Sequence, residues 1–466
     1  MADNWTTLRE TLLPAAGDTA RGKRGRAVES ALRDAVRGGT LSPGTRLPSS
    51  RDLAGQLGVA RGTVSAAYAQ LVAEGYLTAK RGSGTVVSEP LGCTARPTSP
   101  EADAPPRWRY DLRPGIPALA EFPRAEWISA SRAGLAELPD EDLGYPDPSG
   151  LAALRTEIAS YLGRVRAVTA TADDVVITYG AAEALTLLCD VLRERGTPTV
   201  GVEDPGHPGQ ANLLRANGLR PVPVPVDCDG IRVTDIDPAC AAVIVTAAHQ
   251  YPLGTALQPE RRHELLAWAR DGERLIVEDD YDAEHRYDRP ALRAMQSLRP
   301  ARVVYVGSVS KTLAPALRLG WLVLSPDLRA AVVERKRLTD LGCSPLHQAA
   351  FAHLLRSGGY DRHLRRTRLR YRERRDALLD AVRLRLPSWH PVGVAAGLHV
   401  VLRMPDDVDE TVVRQRIADR GVNVGALSDF SAGGAPPYPG IVVGYAANPP
   451  DRLRAAVTEI AAAVTT

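Results

Sequence analysis

Lysine is scarce in this 466-residue chain: Lys23, Lys80, Lys311 and Lys336 are all there are, against abundant arginine. Positions that need only a positive charge have mostly received guanidinium, which does not lose its proton in proteins. A lysine kept in such a composition hints at amine chemistry, because only an amine can deprotonate and attack a carbonyl. Cysteine is also sparse. Cys93, Cys189, Cys228, Cys240 and Cys343 are scattered, odd in number and without a CxxC pair. That spacing argues against a disulfide framework or a thiolate metal site and for free thiols in a reducing compartment, so no metal is expected. No uninterrupted apolar run approaches the roughly 20 residues of a membrane span. The start of the chain has no basic-then-apolar leader, so a cytoplasmic location is the expectation. No internal repeat is present, which excludes solenoid architectures.

Charge is unevenly placed. Residues 20–90 hold eleven Lys/Arg against five Asp/Glu, whereas the whole chain is only +3. A basic front on a slightly acidic remainder predicts a nucleic-acid-binding head on a separate body. The length itself calls for more than one domain.

The front reads as helix, helix-turn-helix, hairpin. Residues 27–38 form an amphipathic pattern that stops at Gly38-Gly39. Ser49 or Ser50 is placed to cap a short helix burying Leu53 and Leu57, and Gly58 turns the chain. A second helix from Arg61 buries Val64, Tyr68, Leu71 and Val72 before Gly75. Residues 76–79 and 85–87 read as strands around the tight turn Arg81-Gly82-Ser83-Gly84. This is the winged-helix pattern, in which the second helix enters the major groove and the hairpin lies along the backbone. Arg61 and Thr63 then face the bases, Arg51 can hold a phosphate, and Lys80 and Arg81 flank the wing.

Residues 89–108 are proline-rich without apolar period and read as a linker. Beyond it, apolar runs such as VVIT, AAVIVT, RLIVED and VVYVGS alternate with helical patterns, which predicts an α/β body with a largely parallel sheet. A strand-rich tail predicts a smaller α+β lobe. The Arg-studded helix at 360–385 reads as a solvated or subunit-facing face.

Three stretches end apolar strands: VVITYGAAEAL, LIVEDDYDAE and VVYVGSVSKTLAPALRLG. Open α/β sheets bind ligands at such strand ends. Together they suit pyridoxal 5′-phosphate. Lys311 supplies the amine for a Schiff base. Asp279 supplies the acid for the pyridine nitrogen, with Asp280 the alternative register, and Tyr281 a hydrogen bond to the ring oxygen. The backbone N–H groups of Ala181 and Ala182 at a helix start, with Ser308, Ser310 and Arg318, grip the phosphate.

The front, RLPSSRDLAGQLGVARGTVSAAYAQLVAEGYLTAKRGSGTVV, resembles the GntR-family winged helix over residues 20–88. By that resemblance Arg51, Arg61 and Thr63 contact operator DNA, with Gly82 and Ser83 at the wing. Residues 109–466 resemble fold-type I aminotransferases. The whole chain resembles the MocR-type subfamily of GntR regulators, to which DLRPGIPALAEFPRAEW, YPDPSGLAALRTEIASYL, EDPGHPG and HQYPLGTALQPERR also conform. The resemblance implies a homodimer in which Tyr145 reaches the neighbouring subunit's cofactor phosphate and His207 stacks on the ring.

The chain departs from the pattern in four places. His207 stands where many relatives have tyrosine, which adds a titrating proton. Tyr251-Pro252-Leu253-Gly254 replaces Asn-Pro-x-Gly, leaving His249, Gln250 or nothing to replace the asparagine. Ala182 replaces a frequent glutamine. Val442 aligns with the arginine that holds the substrate carboxylate in aminotransferases, and no arginine lies between Arg420 and Arg452. The expectation is a regulator that senses PLP itself, as in control of vitamin B6 synthesis genes, or an amine or amino-acid adduct of it. It is aminotransferase-like without efficient turnover. The competing expectation is an active aminotransferase carrying a DNA-binding head.

Overall fold

The computed structural model describes residues 24–80, 84–89, 108–288, 292–432, 434 and 436–464. The chain divides into two compact units, Met1–Pro106 and Arg107–Thr466. The expected linker, 89–108, lies almost wholly outside the described residues.

In the first unit, α1 (Arg24–Arg37), α2 (Ser50–Leu57) and α3 (Arg61–Ala73) pack on a hairpin of β1 (Leu77–Lys80) and β2 (Gly84–Val87). Ser49 is the cap of α2. Its hydroxyl accepts from Asp52 N–H, a contact of about 1 kcal/mol. Gly58 takes φ +63°, a backbone state costly for residues with a Cβ, so α2 ends there. Val28, Leu32, Leu53, Val64, Leu71 and Leu77 form the core, with Ala67 completing the α3 stripe and Val72 half-buried at its edge. Tyr68 donates to the Pro48 carbonyl and braces α3 against the entry to α2.

In the second unit, the strands are β3 (Tyr110–Asp111), β4 (Val175–Thr178), β5 (Thr199–Asp204), β6 (Arg220–Asp227), β7 (Gly230–Ile231), β8 (Ala242–Val245), β9 (Leu275–Asp280), β10 (Val303–Ser308) and β11 (Gly320–Val323). The main sheet runs β4-β11-β10-β9-β8-β5-β6-β7. Neighbours from β10 to β6 are parallel, while β11 is antiparallel to both β10 and β4. Helices Ala181–Glu194 and Pro326–Thr339 contribute Leu188, Leu192, Leu328 and Val332 to one core with Val304 and Val306. Helices Ala152–Arg166 and Pro345–Arg356 contribute Ile158, Leu162 and Phe351 to another with Tyr305 and Trp321. Strands β4 and β8 are buried throughout, which is why their sequences are continuous apolar runs rather than alternating ones.

The smaller lobe holds a second sheet of β12 (His390–Val392), β13 (His399–Arg403), β15 (Gly425–Ala426) and β16 (Gly440–Gly444), in the order β12-β13-β16-β15. The short β14 (Val422–Asn423) pairs with β3, so the start of this unit is tied into its end. The arginine-rich helix spans Gly359–Arg385, and its Tyr371, Leu378 and Val382 enter the lobe's core. Several of its arginines are tied to acids: Arg370 and Arg374 to Glu121, and Arg366 to Glu126. Among the described residues no helix is long and apolar enough to cross a membrane.

Candidate functional site

A cavity of about 340 Å³ lies at the C-terminal ends of β4, β5, β8, β9 and β10. Parallel strands bring these ends to one edge, although they come from residues far apart in the chain. Ala181, Ala182, His207, Asp279, Tyr281, Ser308, Ser310, Lys311 and Arg318 all line it.

Lys311 follows β10 and is half-buried; its Nζ donates to the Gly115 carbonyl at 2.7 Å. Burial pushes its pKa below the ordinary lysine range, against the pull of Asp282 and Asp279. More of the amine is therefore neutral near pH 7 than on an exposed lysine, as a nucleophile requires.

The strand period decides between Asp279 and Asp280, two of the three acids of β9. Glu278 and Asp280 point to the face away from the cavity, and Asp279 points into it. Asp279 accepts from Gln210 Nε2 at 2.7 Å. Asp280 accepts from Arg166 Nε at 2.6 Å and from the Tyr305 hydroxyl at 2.7 Å, inside the core. Burial raises the Asp279 carboxyl to about 6, with Gln210 and Lys311 opposing. The folded state therefore keeps a proton that the unfolded chain has lost. Stability falls as pH rises from about 4 to about 6, and the full cost is present above that. Asp279→Asn removes the cost. The ligand-free variant is expected to have a higher denaturation midpoint than the parent at about pH 7, and the same midpoint below about pH 4. A variant less stable than the parent at about pH 7 would contradict this.

The turn Tyr179–Ala182 opens the helix Ala181–Glu194, whose first N–H groups have no carbonyl to reach within the helix. Gly180 holds φ +84°, and a Cβ at Gly320 would stand 2.7 Å from Gly180 Cα, so both positions need glycine. The Arg318 guanidinium donates to the Tyr179 carbonyl beside this turn. Ser308 Oγ donates to Ser310 Oγ at 2.8 Å. Two hydroxyls, a cation and the start of a helix thus converge, a donor set suited to a phosphate.

Beneath the turn lies another of the four lysines. Lys336 has a fully buried side chain, and its Nζ donates to Glu183 and Asp340, each at 2.7 Å. Glu183 in turn accepts from Tyr179 N–H. The cluster of Glu183, Asp340 and Cys343 has the donor types for a metal ion, but an ammonium already stands between its two acids.

His207 caps the helix Pro208–Ala216, its Nδ1 accepting from Gly209 N–H at 3.0 Å. Burial and then the Lys311 charge hold its imidazolium below the ordinary range, so the ring is neutral near pH 7. Tyr281 donates to the His249 carbonyl at 3.0 Å, and its hydroxyl also stands 3.1 Å from His249 Nδ1. The same Nδ1 lies 2.9 Å from Asp282 Oδ2. Gln250 donates instead to the carbonyls of Pro205 and Tyr251. Of the two candidates to replace the missing asparagine, His249 is the one connected to Tyr281, from behind the cavity wall.

Tyr145 does not line this cavity; it is 91% exposed. Val442 is fully buried with Val226, Leu253, Val401 and Leu427. Arg318 is the one arginine among the described residues lining the cavity. Gln210, Gly115 and Asp282, the partner of His249, escaped sequence reading because the residues they meet are distant in the chain. Gln210 alone carried a signal, three residues beyond the cap at His207 on the same helical face.

In the first unit, Arg51 and Arg61 are exposed, Thr63 is half-buried, and neither arginine has an ion pair or hydrogen bond among the described residues. Lys80 ends β1, and its side chain lies outside what is described, as do Arg81, Gly82 and Ser83. Arg46 was not anticipated. It is exposed, and a Cβ at Gly84 would stand 3.2 Å from its Nε, so it flanks the wing.

Comparison with known proteins agrees with both halves. Residues 24–87 match the gntR family of bacterial regulatory proteins, and residues 117–460 match the aminotransferase class I and II family. That aminotransferase fold family generally uses pyridoxal phosphate. The chain is 35% identical over 441 residues to the HTH-type pyridoxine biosynthesis transcriptional regulator PdxR of Corynebacterium glutamicum, covering 93% of this chain and 94% of that protein. It is 34% identical over 458 residues to the probable rhizopine catabolism regulatory protein MocR of Rhizobium meliloti, covering 93% and 92%. The fold of the body matches a kynurenine aminotransferase of Pyrococcus horikoshii, with a TM-score of 0.69, 23% identity, and coverage of 78% of this chain and 91% of that one. With a DNA-binding winged helix at one end and this strand-end cavity in the body, the chain belongs to the MocR-type subfamily of GntR-family transcriptional regulators, in which the winged helix is fused to a fold-type I aminotransferase-like domain.

Proposed function

We propose that the strand-end cavity binds pyridoxal 5′-phosphate and that its occupancy sets how the winged helices of a homodimer engage operator DNA. The observation that carries this is the convergence of Lys311, Asp279, Tyr281, Ser308, Ser310 and Arg318 on one cavity. When bound, the cofactor supplies an electrophilic carbonyl and an electron-withdrawing ring. The chain's own residues do the rest. Lys311 presents its amine to the carbonyl. Asp279, oriented by Gln210, holds a proton at the ring nitrogen. Tyr281, held beside His249, turns its one hydroxyl proton from the His249 carbonyl toward the ring oxygen. Ser308, Ser310, Arg318 and the amides of Ala181 and Ala182 hold the phosphate. His207 covers the ring as a neutral aromatic.

The effector we favour is the cofactor itself. Arg318 is assigned to the phosphate, and Val442 is an apolar core residue, so among the described residues lining the cavity a substrate carboxylate has no further guanidinium to meet. The PdxR relative is named for pyridoxine biosynthesis, which agrees with this choice. A homodimer accounts for Leu143, Tyr145, Leu338 and Leu346, large apolar residues left 57%, 91%, 63% and 50% exposed. It also gives Tyr145 a role at the neighbouring subunit's phosphate.

Duplexes selected from a random pool provide the test. Saturating PLP is expected to change their affinity by about tenfold, within the usual range of allosteric coupling. Affinity indifferent to PLP would sink the proposal, as would rapid stoichiometric conversion of the cofactor to its amine form by common amino acids. Arg61→Ala removes an exposed, unpaired side chain, so folding is spared. It is expected to weaken operator binding by about 1–3 kcal/mol if Arg61 reads a base. An unchanged gel shift would remove Arg61 from the interface.

A further inference from the structure

We propose that a second cavity in the body binds a small oxyanion, with Arg166 as its buried anchor. The cavity measures about 190 Å³ and lies between the end of helix Ala152–Arg166, the segment after β9 and the first half of helix Gly359–Arg385. It shares no lining residue with the lysine cavity, and the inference does not rest on the cofactor reading.

Arg166 has no exposed side-chain surface. Its Nε is bound to Asp280, but Nη1 and Nη2 have no hydrogen-bond partner among the described residues. Each unmet donor group in the interior costs about 1–3 kcal/mol, and a guanidinium cannot escape by losing its proton. An acceptor is therefore called for.

The rest of the lining suits a negative one. Arg164, Arg365 and Arg368 are exposed around the cavity. Arg365 has no ion pair or hydrogen bond among the described residues, and Arg368 uses only its Nε, on the Glu284 carbonyl at 3.0 Å. Four arginines thus line the cavity against Glu284 and Asp361, with Asp280 paired to Arg166 from the core and Asp361 to Arg164, which leaves the arginines in excess by one. Drug-sized ligands occupy pockets of about 300–1,000 Å³, so this one suits phosphate or a short carboxylic acid rather than a nucleotide. Both present the oxygens that a guanidinium fork binds two at a time.

Calorimetric titration of the full-length protein with inorganic phosphate, and separately with acetate and succinate at constant ionic strength, decides the matter. Saturable binding of one of these is expected, and which one binds names the source. Arg365→Gln is expected to weaken it about tenfold, the scale of one charge-assisted hydrogen bond. Glu284→Gln, which removes a facing carboxylate, should strengthen it several-fold. Arg318→Gln removes any separate phosphate binding in the lysine cavity and should leave the isotherm that Arg365 and Glu284 control unchanged. The proposal falls if none of the three binds saturably, which would leave water to serve Arg166. It also falls if binding ignores Arg365 and Glu284, or disappears with Arg318→Gln.

Discussion

Replacing Lys311 with alanine is expected to abolish the visible absorbance that pyridoxal phosphate gains on joining the protein. In the wild type, borohydride should fix the cofactor's mass onto the peptide containing Lys311, and in the variant nowhere. Lys311 is the only lysine among the described residues lining the cavity, so no amine there can take over. Its amine is held by the Gly115 carbonyl and kept partly neutral by burial, both of which Lys311→Ala removes. The phosphate grip is untouched: Ser308, Ser310 and Arg318 are braced by one another and by the backbone, not by Lys311. Equilibrium dialysis should therefore still find PLP bound, more weakly and without the absorbance change. Lysine-type absorbance persisting in the variant would place the reactive amine elsewhere.

Asp280→Ala is expected to cost the body about 3–5 kcal/mol, read as a lower midpoint of its own unfolding transition in denaturant. The Asp280 side chain is 3% exposed and receives both Arg166 Nε and the Tyr305 hydroxyl. Its removal leaves a permanently charged guanidinium in the core with none of its nitrogens hydrogen-bonded among the described residues. The neighbouring Asp279→Asn has the opposite sign above about pH 6, as argued above. Adjacent acids that respond in opposite directions are a stringent check on which of them faces the cavity. Equal losses from the two would mean that the register of β9 is wrong.

Much of this was legible in the sequence, because it depends on local signals. Gly58, Ser49 and the stripe Val64–Tyr68–Leu71 define the winged helix through turn, cap and period, and α3 begins at Arg61 as the pattern indicates. The first helix starts at Arg24, ahead of the expected 27, because frayed ends carry no apolar mark. The body's strands announced themselves as apolar runs, and the residues at their ends were the ones that meet in the cavity. Scarcity was informative as well. Both lysines with described side chains, Lys311 and Lys336, hold their amines in half-buried or buried places, on the Gly115 carbonyl and on Glu183 and Asp340.

What the chain's order of residues determined, then, was the two-part architecture and which residues, Lys311 among them, stand at the strand ends. Periodicity, caps and residue type are properties of neighbours in sequence. Tertiary structure alone decided that Asp279 and not Asp280 faces the cavity, and that His249 and not Gln250 backs Tyr281. It also set Gln210 on Asp279 and left Arg166 with two unmet donors. Each of these depends on which way a side chain turns relative to segments tens or hundreds of residues away. That direction is fixed by the pleat and by packing, and no local pattern records it.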